Sequence, residues 1–76
     1  MNICAPFAGI VRYSVSSGQH VKAGETLAVI EAVKLEAPVY SPAPGTITNI
    51  CQDQFGDVAG GDVLLELEEN TWHSHE

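Results

Sequence analysis

Apolar positions along the chain come in short runs and never hold a helical period over several turns. Ile10 to Val15, Thr26 to Ile30, Thr46 to Cys51 and Val63 to Leu67 are each rich in Val, Ile, Leu, Thr or Tyr. Pro6, Gly9, Gly18, Gly24, Pro38, Pro42, Pro44, Gly45, Gly56, Gly60 and Gly61 punctuate them. Short β-branched runs separated by turn residues at roughly eight- to twelve-residue intervals predict an all-β sandwich or barrel. From Glu68 onward the chain is polar and has no period. Residues 1–69 are therefore read as one folded domain and 70–76 as a flexible C-terminal tail, with Trp72 loose or patching an edge.

The pattern also repeats. Pro6-Phe-Ala-Gly-Ile-Val11 and the block Val21 to Glu31 return as Pro42-Ala-Pro-Gly-Thr-Ile47 and the block Val58 to Glu68. The second block follows the first by 37 residues throughout, whereas Gly9 and Gly45 are 36 apart, so one residue is inserted between them. Two similar halves related by a pseudo-two-fold axis would each offer one open apolar face and close a single core between them. Val29 matches Glu66, which predicts that this position faces solvent. Ala28/Leu65 and Ile30/Leu67 have the opposite parity and are predicted to face inward. The Gly24-Glu25 and Gly61-Asp62 steps read as turns into the last strand of each half.

Composition narrows the functional classes. Seventy-six residues make one small domain, with little room for a deep substrate pocket. Ten carboxylates against Arg12, Lys22 and Lys34 give a net charge of -7. Such a surface repels phosphate backbones and anionic lipid, so neither nucleic acid nor membrane is an expected partner; the acidity serves either solubility or attraction to a basic partner surface. Cys4 and Cys51 have no CxxC spacing and are expected to be reduced, buried thiols. With no signal peptide or long apolar run, the cytoplasm is the expected location. His20, His73 and His75 do not complete a metal shell, so no metal is expected. No nucleophile–base pair, paired acid/base carboxylates or phosphate loop is present, which argues against an enzyme.

The segment joining the two halves is Glu31-Ala32-Val33-Lys34-Leu35-Glu36. Strand signals run into it and out of it, and the repeat requires a reversal there. Yet no Gly or Asn-Gly marks the turn, and Val-Lys is a poor choice for a two-residue hairpin. A local rule broken at one place points to a functional site. One of the chain's two lysines stands there, at the midpoint of the repeat. Lys22, in the turn Val21 to Gly24, has Ala59 as its counterpart and is expected to stay unmodified.

Taken together, Ala5-Pro-Phe-Ala-Gly9, the Gly18, Val21 and Gly24 spacing, Glu31-Ala-Val-Lys34-Leu-Glu, Ser41-Pro-Ala-Pro-Gly45 and Gly61-Asp-Val-Leu-Leu-Glu-Leu resemble the biotinyl/lipoyl attachment domain. The resemblance covers residues 3 to 68 and is nearest to biotin carboxyl carrier domains. It implies a flattened barrel of two four-stranded antiparallel sheets, with the modified lysine, Lys34, at the tip of an exposed hairpin. It further implies a non-catalytic carrier on which biotin, joined to Lys34, takes a carboxyl group from a biotin carboxylase to a carboxyltransferase. Glu31, Ala32, Val33 and Leu35 would then be flanking recognition positions for a biotin protein ligase.

The sequence departs from that family at one place. Biotinyl domains usually set the lysine between two methionines, and here Val33 and Leu35 flank it. Val33-Lys34 followed by Tyr40-Ser41-Pro42 is similar instead to the glycine cleavage H protein, which carries lipoate. Lipoyl on Lys34 is therefore the alternative. Val33 and Leu35 are apolar for an exposed tip; they either contact the ligase and the arm or cap the barrel end.

Overall fold

The computed structural model describes residues 1–70. The rest of the expected tail, with Trp72, His73 and His75, lies outside the described residues. Eight strands form in chain order: β1 (Asn2–Cys4), β2 (Gly9–Tyr13), β3 (His20–Val21), β4 (Thr26–Ala32), β5 (Leu35–Tyr40), β6 (Gly45–Ile50), β7 (Asp57–Val58) and β8 (Val63–Glu69). They make two four-stranded sheets, ordered β1-β8-β6-β3 and β5-β4-β2-β7. Every pairing is antiparallel. The expected all-β, two-sheet architecture is what the chain adopts.

The repeat is visible in the topology. Exchanging β1 with β5, β2 with β6, β3 with β7 and β4 with β8 converts one sheet order into the other. Registers obey the same exchange: Ile3 faces Leu65 as Val39 faces Ala28, and Val11 faces Ile30 as Ile47 faces Leu67. The inserted residue is Thr48. Pairing passes from Ile47–Leu67 to Asn49–Glu66 and leaves Thr48 unpaired, a β-bulge.

Two further bulges shape the core. Pairing skips Leu27, between Thr26–Tyr40 and Ala28–Val39, and it skips Leu64, between Cys4–Val63 and Ile3–Leu65. An unbroken strand would send consecutive side chains to opposite faces. With one residue bulged out of register, Leu27 and Ala28 are both fully buried, as are Leu64 and Leu65. The neighbours enter different apolar clusters. Leu27 packs with Ile3, Val15, Val21, Ile47, Leu65 and Leu67. Leu64 packs with Ala5, Val11, Ala28, Ile30 and Val58. Each repeat pair is thus split between the clusters, and burial of each large side chain contributes about 1.5–3 kcal/mol. The predicted inward positions Ala28, Ile30, Leu65 and Leu67 are all in the core, while Val29 is half-buried on the outer face and Glu66 is exposed.

The cysteines correct one expectation. Both are free, but both are exposed rather than buried. Ile3 takes the inward position of β1, so Cys4 points outward. The Thr48 bulge resets the alternation of β6. Ile50 then packs against the core, and Cys51 falls on the outside.

Strand directions place Met1 and the end of β8 away from the β4–β5 hairpin. The Met1 amino group donates to the Leu67 carbonyl at 2.9 Å, and the Leu67 N–H donates to Met1 at 2.8 Å. β8 starts at Val63, after the turn in which Gly60 lies against Phe7, and it ends at Glu69 opposite Gly45. The hairpin instead sits beside Gly9 and Ile10, since Ile10 pairs with Glu31.

Candidate functional site

The β4–β5 hairpin is held by six cross-strand pairs, from Thr26–Tyr40 to Ala32–Leu35, which leave Val33 and Lys34 as a two-residue turn. Primed hairpin turns need positive φ. Among the described residues Phe55 is the only non-glycine with positive φ, so Val33 and Lys34 turn the chain without it, in a backbone region a β-branched residue tolerates. Pro38 is accommodated because β5 is an edge strand. Near the tip of the hairpin β2 approaches β4 so closely that a Cβ on Gly9 would lie 2.5 Å from the Glu31 carbonyl oxygen. Gly45 meets the Glu68 carbonyl in the same way in the other half. These two glycines are the counterparts noted in the repeat.

Glu31, Ala32, Val33, Lys34 and Leu35, the five positions singled out in the sequence, are thus consecutive on this one projecting element. Val33 is 97% exposed and Leu35 56%, so neither caps the barrel. Lys34 is exposed, and among the described residues it has no ion pair. Two residues outside the predicted set join the site. Glu36 lies directly opposite Glu31. Arg12, on the neighbouring β2, pairs with Glu31 through Nη1 and with Glu36 through Nη2 at 3.6 Å. The hydrogen bond shared with Glu36, and then the Arg12 guanidinium, hold the Glu31 carboxyl below the usual carboxylate range. Position alone conceals Arg12, since it lies 22 residues from Lys34 in sequence and only strand register brings it near; that it is the chain's one arginine was the available signal.

Beside the tip runs an open groove of about 510 Å³, lined by Ala8, Gly9, Ile10, Glu31, Ala32, Val33 and Asp57. The repeat places its counterpart at the other end, about 530 Å³, lined by Pro44, Gly45, Thr46, Glu68, Glu69, Asn70, His20 and Val21. Ile10, Ala32 and Val33 at the lysine end correspond to Thr46, Glu69 and Asn70, so the halves share a backbone while differing in polarity. Among the described residues no group of His, Cys, Asp or Glu is placed to hold a metal ion, and no helix is long and apolar enough to cross a membrane.

A paired-sheet domain with a lysine at an exposed hairpin tip is the architecture the sequence resemblance implied. The family profile described as "Biotin-requiring enzyme" matches residues 1–67. The chain belongs to the biotin/lipoyl attachment family. Within that family it is 34% identical over 62 residues to the pyruvate carboxylase of Staphylococcus aureus, covering 82% of this chain and 5% of that protein. It is 29% identical over 72 residues to the biotin/lipoyl attachment protein of Bacillus subtilis, covering 93% of this chain and 99% of that one. It is 49% identical over 39 residues to the glycine cleavage system H protein of Deinococcus radiodurans, covering 51% of this chain and 32% of that protein. Among solved structures, a single-chain, multi-domain long-chain acyl-CoA carboxylase superposes with a TM-score of 0.86 at 27% identity, over 93% of this chain and 7% of that one. The attachment fold is thus shared with chains of very different length and with proteins named for biotin and for lipoate chemistry alike.

Proposed function

We propose that this attachment domain is a biotin carboxyl carrier, with biotin joined through an amide to Lys34. The observation that carries the reading is the placing of Lys34: an exposed amine at the apex of a paired hairpin, free of ion pairs among the described residues and flanked by the exposed apolar Val33 and Leu35. A covalent arm fits such a site. The amine is accessible to a modifying enzyme, and among the described residues no wall confines what is attached to it. Biotin supplies a ureido nitrogen that accepts and releases a carboxyl group. The domain supplies a rigid base and a tether, which raise the effective concentration of the attached group at successive partner sites. Its own residues catalyse nothing.

The partners of this reading are a biotin protein ligase, a biotin carboxylase and a carboxyltransferase. Each approaches the hairpin end, where Glu31, Ala32, Val33 and Leu35 flank the amine. One small face serving several enzymes in turn calls for weak, transient contacts. The similarity to pyruvate and acyl-CoA carboxylases supports biotin. Lipoate on Lys34 is the second reading, supported by the segment similar to the H protein.

Production of the chain with a biotin ligase and a lipoate ligase together, with both cofactors supplied, tests the choice by intact mass and fragment mapping. Biotin on Lys34, with Lys22 untouched, is expected. A lipoyl adduct on Lys34 would replace the cofactor assignment, and an unmodified Lys34 would overturn the carrier role.

A further inference from the structure

The hairpin carries one cation, Lys34, three residues after Glu31 and two before Glu36. Strand rise is roughly 3.3 Å per residue, so a flexible four-carbon stem can bring the amine back to either carboxylate. In an isolated hairpin with this sequence, Lys34 is the cation those carboxylates would find. In the folded domain it is not. The ion pairs among the described residues are Arg12 with Glu31 and Arg12 with Glu36, and Lys34 has none. Register explains this. Arg12 lies opposite Val29 on β2, and Val29 shares its outer face with Glu31, whose cross-strand partner is Glu36. A planar guanidinium with five donors suits two carboxylates at once better than an ammonium does.

The repeat supplies a comparison within the molecule. Asn49 occupies the Arg12 position in the second half, opposite Glu66, and that half has no lysine to keep free. The chain has three Lys and Arg residues against ten Asp and Glu, so the only arginine is spent at the lysine end. Asp57, across the groove beside Val33, is the remaining carboxylate near the tip, and it too forms no ion pair among the described residues.

We propose that Arg12 is a positioning residue that occupies Glu31 and Glu36 and thereby keeps the Lys34 amine out of an ion pair and open to acylation. This inference rests on the reading of Lys34 as the acyl acceptor. In that reaction the neutral nitrogen adds to the carbonyl carbon of an activated acyl donor. The bond from that carbon to the leaving group breaks, the leaving group takes the electron pair, and the nitrogen gives its extra proton to water. Only about one ordinary lysine in two thousand five hundred is neutral at pH 7. An adjacent carboxylate stabilises the ammonium and lowers that fraction further. At an exposed site solvent screening limits the effect, and about a threefold loss of reactivity at neutral pH is expected.

The test is competitive acylation of the intact domain with trace acetic anhydride across a pH series. Lys22 serves as the internal reference, and the label is located by mass mapping. Arg12→Gln is expected to move the Lys34 reactivity profile to higher pH and to cut its labelling at neutral pH about threefold relative to Lys22. Arg12→Lys should retain most of the parent profile. Arg12→Gln combined with Glu31→Gln and Glu36→Gln should restore it, since neither hairpin carboxylate is left to claim the amine and Asp57 lies across the groove on another strand. A Lys34 profile unchanged in Arg12→Gln, in a protein whose amide NMR spectrum shows the fold intact, would overturn the proposal. So would a triple variant that stays slow. Because the reagent replaces any ligase, a failure of biotin or lipoate attachment to the parent chain counts against the carrier reading alone.

Discussion

Phe55 adopts a left-handed backbone with φ of 63°, at a position whose counterpart in the first half is Gly18 with φ of 89°. Both residues make the same bond: the Gly18 N–H donates to Ile47 and the Phe55 N–H to Val11, which are themselves a repeat pair. The turn geometry is therefore imposed by closure of the barrel, and in the second half a bulky residue bears it. For a residue with a Cβ, left-handed φ costs about 1–2 kcal/mol. The extra chain entropy of glycine offsets about 0.5–1 kcal/mol of any relief. Phe55 is 64% exposed, so little packing is lost with its ring. Phe55→Gly is expected to stabilise the domain by roughly 0.5–1 kcal/mol, read as a higher urea midpoint at unchanged slope. Gly18→Ala should lower the midpoint, the reverse change at the matching site.

The β4–β5 hairpin places two carboxylates face to face, an arrangement that is unfavourable without a shared proton or a cation. Glu31 titrates below the ordinary value of 4.5, because of its hydrogen bond with Glu36 and the charge of Arg12. The unfolded chain therefore takes up this proton first as the pH falls. The contribution of Glu31 to stability is complete above 4.5 and disappears as the pH drops through the lower value of the folded state. Thermal unfolding followed from neutral to acidic pH should show a shallower acid decline for Glu31→Gln than for the parent. Equal declines would mean that the hairpin pair adds nothing to acid sensitivity. The same element shows how much of the site was legible. Lys34 could be read from the repeat and the unmarked turn, because those are local features, and its four flanking positions from the family resemblance. Arg12 and Glu36 could not, because their meeting depends on which residue of β2 faces which residue of β4.

Across the whole molecule the pseudo-two-fold axis makes the two apolar clusters near-equivalent halves of one core. Leu27 and Leu64 occupy corresponding bulges, and each is fully buried, in opposite clusters. Truncating either to Ala removes similar buried area and leaves a similar cavity, at about 2–5 kcal/mol. A domain of this size has a total stability of order 4–11 kcal/mol, so either change consumes a large share. Leu27→Ala and Leu64→Ala are expected to lower stability by amounts within about 1 kcal/mol of each other in denaturant unfolding. A much larger loss for one would show that one half is packed more tightly than the symmetry implies.

The sequence by itself determined the longer strands, the two halves, the inward parity of Ala28, Ile30, Leu65 and Leu67, and the lysine at the midpoint. Each of these is written in short-range spacing: alternation sets which face a side chain takes, and glycine or proline sets where a strand ends. Tertiary structure decided what depends on two sheets closing over one core. Three single-residue bulges, at Leu27, Thr48 and Leu64, interrupt the alternation. A bulge has no signature in a period of two. The bulges at Leu27 and Leu64 let two consecutive apolar residues be buried, and the bulge at Thr48 absorbs the residue by which the halves differ in length. The exposure of Cys51 follows from the bulge at Thr48, and the capture of Glu31 and Glu36 by Arg12 follows from register. Both are consequences of which strands lie side by side, and that is fixed only when the chain has folded.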